Sequence, residues 1–140
     1  HVMPLSEVDD EAFSGETLGK GIAIDPIDGK VVAPCDGTVM TLFPTKHAIG
    51  IVSDTGAEVL IHLGLDTVKL DGKGFVAQVA QGEKVKKGQL LITVDLKTVK
   101  DAGYSLVTPI VVTNSSDYLD IVPMVSDEVK SEENLLTLII

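Results

Sequence analysis

Two of the three histidines in this 140-residue chain, His47 and His62, stand fifteen positions apart in "PTKHAIGIVSDTGAEVLIHLGLDTV", with turn residues midway between them. An imidazole changes charge near neutral pH and offers both a proton and a lone pair, so a pair of them can bind zinc, exchange protons with a substrate, or carry a phosphoryl group as phosphohistidine. Zinc needs three or four ligands, and here the remaining donors are a terminal histidine, His1, and the carboxylate of Asp66. Hydrolytic acid–base chemistry needs an oriented nucleophile, and no Gly-x-Ser-x-Gly elbow is present. A biotin carrier needs a Met-flanked lysine on a hairpin, and no such tripeptide occurs. Spacing alone leaves the metal, acid–base and phosphoryl readings open.

The elements that must position the pair are strands. "HAIGIV" and "AEVLIH" flank Ser53, Asp54, Thr55 and Gly56, so a β-hairpin is expected. A symmetric turn pairs Val52 with Ala57, Ile49 with Leu60, and His47 directly with His62, with Cβ atoms about 4.5–5.5 Å apart. Alternation then predicts a core face of Ala48, Gly50, Val52, Ala57, Val59, Ile61 and Leu63. The opposite face carries His47, Ile49, Ile51, Glu58, Leu60 and His62, an apolar surface with imidazoles at its rim. This reading requires an even turn, because a three-residue loop with a bulge shifts the register and inverts one strand.

Beyond the hairpin, thirteen glycines, six prolines and short β-branched runs divide the chain every 8–12 residues or so, the pattern of an all-β sandwich or barrel. Strands are expected within residues 21–43, 47–64, 74–94 and 106–114, with a last one in "LLTLII" after a polar connection at 126–134. "DLKTVKDAG" predicts a short helix capped by Asp95 and ended by Gly103, with Leu96, Val99 and Ala102 on one face. The Gly-centred turns of "GKVVAPCDGTV" and "GEKVKKGQLL" echo each other, as in folds built by duplication. With 44% apolar residues the chain is expected to form one soluble domain over residues 1–140. A lone cysteine, Cys35, excludes an internal disulfide and is read as a small buried hydrophobe. The charge of −10, from 21 acidic and 11 basic residues, disfavours nucleic acids and anionic membranes as partners.

At "KHAIGI" and "EVLIHLGLDTVKLDGKGF", and again at "PLSEVDDEAF", "LGKGIAI", "VVAPCDGTV", "VAQGEKVKKGQLL" and "TPIVVTN", the chain resembles glucose-type enzyme IIA domains of the bacterial phosphoenolpyruvate-dependent sugar phosphotransferase system. "FPTKHAIG" and "KDAGYSLVTP" lean toward the β-glucoside or sucrose subgroup. The resemblance implies an antiparallel β-sandwich of duplicated hybrid-motif type with one or two short helices, and no cofactor or metal. Relatives begin with an extra strand before the segment matching "MPLSEV", so the first strand is expected to be truncated here.

By position, the resemblance makes His62 the phosphorylated nucleophile and His47 its partner. It puts the hydroxyl of Thr45 and the carboxylate of Asp66 near the site, and Phe13, Phe43, Ile49 and Leu60 on or near an apolar docking surface. The implied partners are the histidine-containing phosphocarrier protein, which supplies the phosphoryl group, and a cysteine of the enzyme IIB domain, which receives it. The membrane IIC domain is served indirectly. The expected location is the cytoplasm, with tethering to the membrane's inner face where the domain is fused to a permease. Two other implied readings are a regulatory IIA-like domain on a sugar symporter and a zinc metallopeptidase of related fold. Phosphoryl transfer asks mainly for a placed lone pair and electrostatic support. A neutral His62 meets the first need if its other nitrogen donates to a backbone carbonyl in "HLGLD".

Overall fold

The computed structural model describes residues 2–4, 7–8, 10–15, 20–24, 29–54, 56–114, 120–123 and 136–139. The polar connection at 126–134 lies outside the described residues. Twelve strands are present among them: β1 (Val2–Pro4), β2 (Lys20–Ile24), β3 (Lys30–Val32), β4 (Gly37–Leu42), β5 (Ala48–Ser53), β6 (Glu58–His62), β7 (Phe75–Ala77), β8 (Lys84–Val85), β9 (Leu90–Val94), β10 (Thr108–Val112), β11 (Asp120–Pro123) and β12 (Leu136–Ile139). The helical elements described are α1 (Glu11–Ser14), α2 (Leu96–Asp101) and a 3-10 turn at Thr67–Leu70. Among the described residues no helix is long and apolar enough to cross a membrane.

Seven strands form one antiparallel sheet in the order β1-β2-β10-β6-β5-β4-β8, and β3-β9-β7 form a second. Ile22, Val39, Ile49, Ile51, Val59, Ile61, Val85 and Ile110 from the large sheet pack in one core with Phe75, Ile92 and Val94 from the small one. Two facing sheets around a shared apolar layer make a sandwich, as the alternating sequence pattern requires. A smaller cluster of Val8, Phe13, Ala23, Leu65 and Val111 covers part of the large sheet's outer face.

Local signals act as expected in the helix: the Asp95 carboxylate accepts from the Thr98 amide at 3.2 Å, and Gly103 follows with φ +88°. Val99 is buried and Leu96 half-buried against the core, whereas Ala102, at the frayed end, is exposed. Cys35 is half-buried, and burial together with Asp36 and Asp54 pushes its thiol pKa up, which disfavours the reactive thiolate.

The central hairpin differs from the symmetric reading by one residue. Ala48 pairs with His62, Ile49 with Ile61, Gly50 with Leu60, Ile51 with Val59 and Val52 with Glu58. The cause is the turn. Ser53 N–H donates to Ala57 C=O at 2.8 Å, Gly56 N–H donates to Ser53 C=O at 2.9 Å, and Gly56 takes φ +95°. This is a three-residue loop closed by a left-handed glycine, which adds one residue to the register. Val59 and Ile61 stay in the core, but Ile49 and Ile51 join them there, while Ala48, Gly50 and Val52 turn outward with Leu60 and His62. On the other side of β5, a bulge at Met40 lets Val39 pair with Ile51 and Leu42 with Ile49, returning Leu42 to the core face.

Candidate functional site

His62 ends β6 on the outer face of the large sheet, and His47 sits just before β5 at the tip of the β4–β5 connection. That tip is a tight turn in which Lys46 N–H donates to Phe43 C=O at 2.8 Å, with Pro44 and Thr45 in its centre and Lys46 at φ +59°. His47 therefore leaves the regular pleat. It does not pair with His62, whose strand partner is Ala48, yet the two rings meet edge to face with centroids 5.0 Å apart and planes at 78°. The sequence expectation of adjacent imidazoles holds, though direct cross-strand opposition does not.

Each ring has a defined neighbour on both sides. The Thr45 hydroxyl is hydrogen-bonded to His47 Nδ1. Phe43 lies edge-on to His47 at 5.4 Å, and Phe13 is tilted against His62 at 5.2 Å. His62 Nδ1–H donates to the Gly64 carbonyl at 2.6 Å. Since a carbonyl only accepts, the proton resides on Nδ1 and the lone pair of the neutral ring is on Nε2.

The electrostatics favour neutral rings. Burial lowers the His62 pKa, opposed by the Gly64 hydrogen bond and by the charges of Asp10 and Asp66. His47, only 6% exposed, is lowered by burial and by the positive charge His62 would acquire. From an ordinary value near 6.5, both shifts leave a nucleophilic lone pair available at pH 7. Asp66 is exposed, in a left-handed conformation at φ 60° ahead of the 3-10 turn. Among the described residues no cluster of three or more His, Cys, Asp or Glu side chains is arranged to hold a metal ion.

His47, His62, Thr45 and Phe43 thus converge at one end of the large sheet, with Asp66 near enough to act on His62 by its charge. Ile49 does not join them: it is fully buried on the sheet's other face, because the glycine-closed turn inverts β5 relative to the symmetric register. Phe13 is no open docking residue either. At 3% exposure it packs under His62 and in the smaller apolar cluster. Leu60 is half-buried on the His62 face. Two participants escape the sequence reading. Asp10 lies in the acidic run before α1, far from His62 along the chain, and no local pattern announces their meeting. Met40 is 40% exposed, with its Cε 3.4 Å from where a Gly50 Cβ would stand, so it covers the outward face at the level of Leu60.

Residues 1–118 match the family described as phosphoenolpyruvate-dependent sugar phosphotransferase system, EIIA 1. The chain is 51% identical over 137 residues, 98% of its length, to a PTS system beta-glucoside-specific EIIBCA component of Halalkalibacterium halodurans, covering 22% of that protein. It is 55% identical over 117 residues to the Bacillus subtilis component of the same name, covering 84% of this chain and 19% of the relative. A glucose-specific EIICBA component of Staphylococcus saprophyticus is 53% identical over 116 residues, 83% of this chain and 17% of the relative. The chain thus spans about a fifth of the length of these relatives. The solved glucose permease IIA of Mycoplasma capricolum superposes with a TM-score of 0.77 at 47% identity, covering 80% of this chain and 73% of that one.

Proposed function

The chain belongs to the EIIA family of the phosphoenolpyruvate-dependent sugar phosphotransferase system, as one of that system's phosphotransferase components, and on that premise we propose that His62 carries the phosphoryl group on Nε2. The observation behind the assignment is the 2.6 Å hydrogen bond from His62 Nδ1 to Gly64, which leaves the ring's lone pair on Nε2, beside His47. The donor in this reading is the histidine-containing phosphocarrier protein. Its phosphorus–nitrogen bond breaks as the bond to His62 Nε2 forms, and the His62 proton stays on Nδ1 throughout. Onward transfer breaks that bond and forms one to the cysteine sulfur of an enzyme IIB domain, which phosphorylates sugar brought in through IIC.

His47 supplies the electrostatic part. With the Thr45 hydroxyl donating to Nδ1, His47 carries its proton on Nε2 and can donate it to a phosphoryl oxygen as charge builds in the loose transition state. The carboxylates of Asp10 and Asp66 raise the basicity of His62 and also repel its phosphate, so the phosphorylated form does not become an energetic sink. At the rim they can pair with basic groups of an incoming partner. The docking surface consists of Phe43, Leu60 and Met40, on the outward face, with Met40 replacing Ile49. A small interface, below about 1,200 Å² in total, suits a carrier that must release one partner to meet the next. Such encounters take place on the cytoplasmic side of the membrane.

Incubation with phosphoenolpyruvate, enzyme I and the phosphocarrier, followed by mapping of acid-labile phosphate, tests the assignment. Phosphate is expected on His62 and absent from His62→Ala; phosphate retained by that variant refutes it.

A further inference from the structure

The Gly64 carbonyl selects the His62 tautomer, and its own aim depends on groups outside the imidazole pair. Three consecutive peptide units follow His62, and each is held. The Leu63 N–H donates to His47 C=O at 2.6 Å. The Leu63 C=O accepts from the Thr67 hydroxyl at 2.5 Å. The Leu65 N–H donates to Ser105 C=O at 3.1 Å. In a trans peptide the C=O and N–H point in opposite directions, so drawing the Leu65 N–H toward Ser105 aims the Gly64 C=O the other way, toward His62 Nδ1.

Only one of these three restraints comes from a side chain. Thr67 is fully buried and opens the 3-10 turn Thr67–Leu70. Its hydroxyl fixes the Leu63–Gly64 peptide, and its methyl Cγ2 lies 2.6 Å from where a Gly64 Cβ would stand. The Ser105 carbonyl is also 2.6 Å from that point, and Gly64 has φ +80°, so position 64 accommodates a glycine pressed between the two. The Gly64 carbonyl belongs to the next peptide, and the Leu63–Gly64 plane sets the Gly64 φ from which that peptide starts, so releasing the Thr67 anchor lets the carbonyl turn off the ring against the single Leu65–Ser105 restraint. Without that acceptor, a neutral histidine prefers its proton on Nε2, the atom that must be free to attack.

We propose that Thr67 is a positioning residue for phosphoryl transfer: its buried hydroxyl anchors the Leu63–Gly64 peptide, and through the Gly64 torsions the carbonyl of the next peptide, so that the Gly64 carbonyl keeps the proton on Nδ1 and the lone pair on Nε2. The inference rests on His62 being the nucleophile. A hydroxyl that merely stabilised the turn would affect melting and leave the ring alone, so the decisive readout is the ring itself.

Nitrogen-15 shifts of the His62 imidazole, recorded above its pKa in the unphosphorylated chain, distinguish a protonated from a lone-pair nitrogen at each ring position. Thr67→Val keeps the methyl and shape but removes the donor. Its His62 ring is expected to shift toward the Nε2–H tautomer, and its rate of phosphate acceptance to fall at least about tenfold, as misaimed reacting groups do. Thr67→Ser, which restores the hydroxyl, is expected to recover both the ring signature and most of the rate. A Thr67→Val ring indistinguishable from the parent's overturns the proposal even if the rate falls. Should the valine variant fail to fold, Thr67→Ala, which also lacks a donor, replaces it under the same criterion. Phosphate uptake by His62→Ala would instead overturn the nucleophile assignment, leaving the ring measurement to stand by itself.

Discussion

Placing a carboxylate at position 49 or 60 separates the two possible registers of the central hairpin. Ile49 is fully buried between Leu42 and Ile61, its partners on either side. Removing a buried isoleucine side chain costs about 2–5 kcal/mol, and an unpaired polar group in its place adds about 2–7 kcal/mol. The sum reaches or exceeds the lower part of the roughly 5–15 kcal/mol that holds a domain together, so Ile49→Asp is expected to be unfolded or nearly so. Leu60 is half-buried on the outward face. Losing about half of the roughly 1.5–3 kcal/mol its full burial would contribute leaves a cost near 1 kcal/mol, a loss of a few degrees in melting temperature. Leu60→Asp also adds negative charge to the face that carries His62, so its exchange with a phosphorylated partner should slow sharply in a folded protein. Circular-dichroism melts paired with phosphate-acceptance rates decide the matter. If Ile49→Asp melts within a few degrees of the parent and only transfers slowly, Ile49 faces the partner, the hairpin closes symmetrically and the register argued from Gly56 is wrong.

Three further outcomes follow from the site. His47→Ala should keep the fold and still take up phosphate, but pass it on slowly; onward transfer at the parental rate would remove His47 from the mechanism. Because the folded-state pKa values of His47 and His62 lie below the ordinary value near 6.5, the folded protein binds fewer protons than the unfolded chain. Stability is therefore full above that value and falls as pH drops through the depressed folded values, a decline that denaturant titrations should find reduced in a His47→Gln/His62→Gln variant. Equal declines in parent and variant would contradict the shifts. Asp10→Asn and Asp66→Asn each remove a charge that raises the His62 pKa, so an NMR titration should place that pKa lower in both, and an unchanged midpoint would separate the carboxylate from the site.

Much of this architecture was legible in the sequence because the physics behind it is local. The cap at Asp95, the turn at Ser53–Gly56 and the inward side of β6 at Val59 and Ile61 depend on neighbours within a few residues. So does the meeting of two imidazoles at the end of one hairpin. The face to which Ile49 belongs was not legible. A strand's side-chain period is two, so a single extra residue in a turn reverses every assignment on it, and turn composition does not by itself decide between an even loop and one closed by a left-handed glycine. Nor was the surrounding shell legible in residue types alone: Asp10, and Phe13, which only the family resemblance placed near the site, reach His62 because the chain near α1 packs over the outer sheet face, and Ser105 reaches Leu65 from the segment before β10. Residue types thus specified a pair of imidazoles able to do chemistry. Which His62 nitrogen holds the proton fell to the tertiary structure, because the Gly64–Leu65 peptide, whose carbonyl accepts from Nδ1, is held by Ser105 from a segment that only the folded chain brings near.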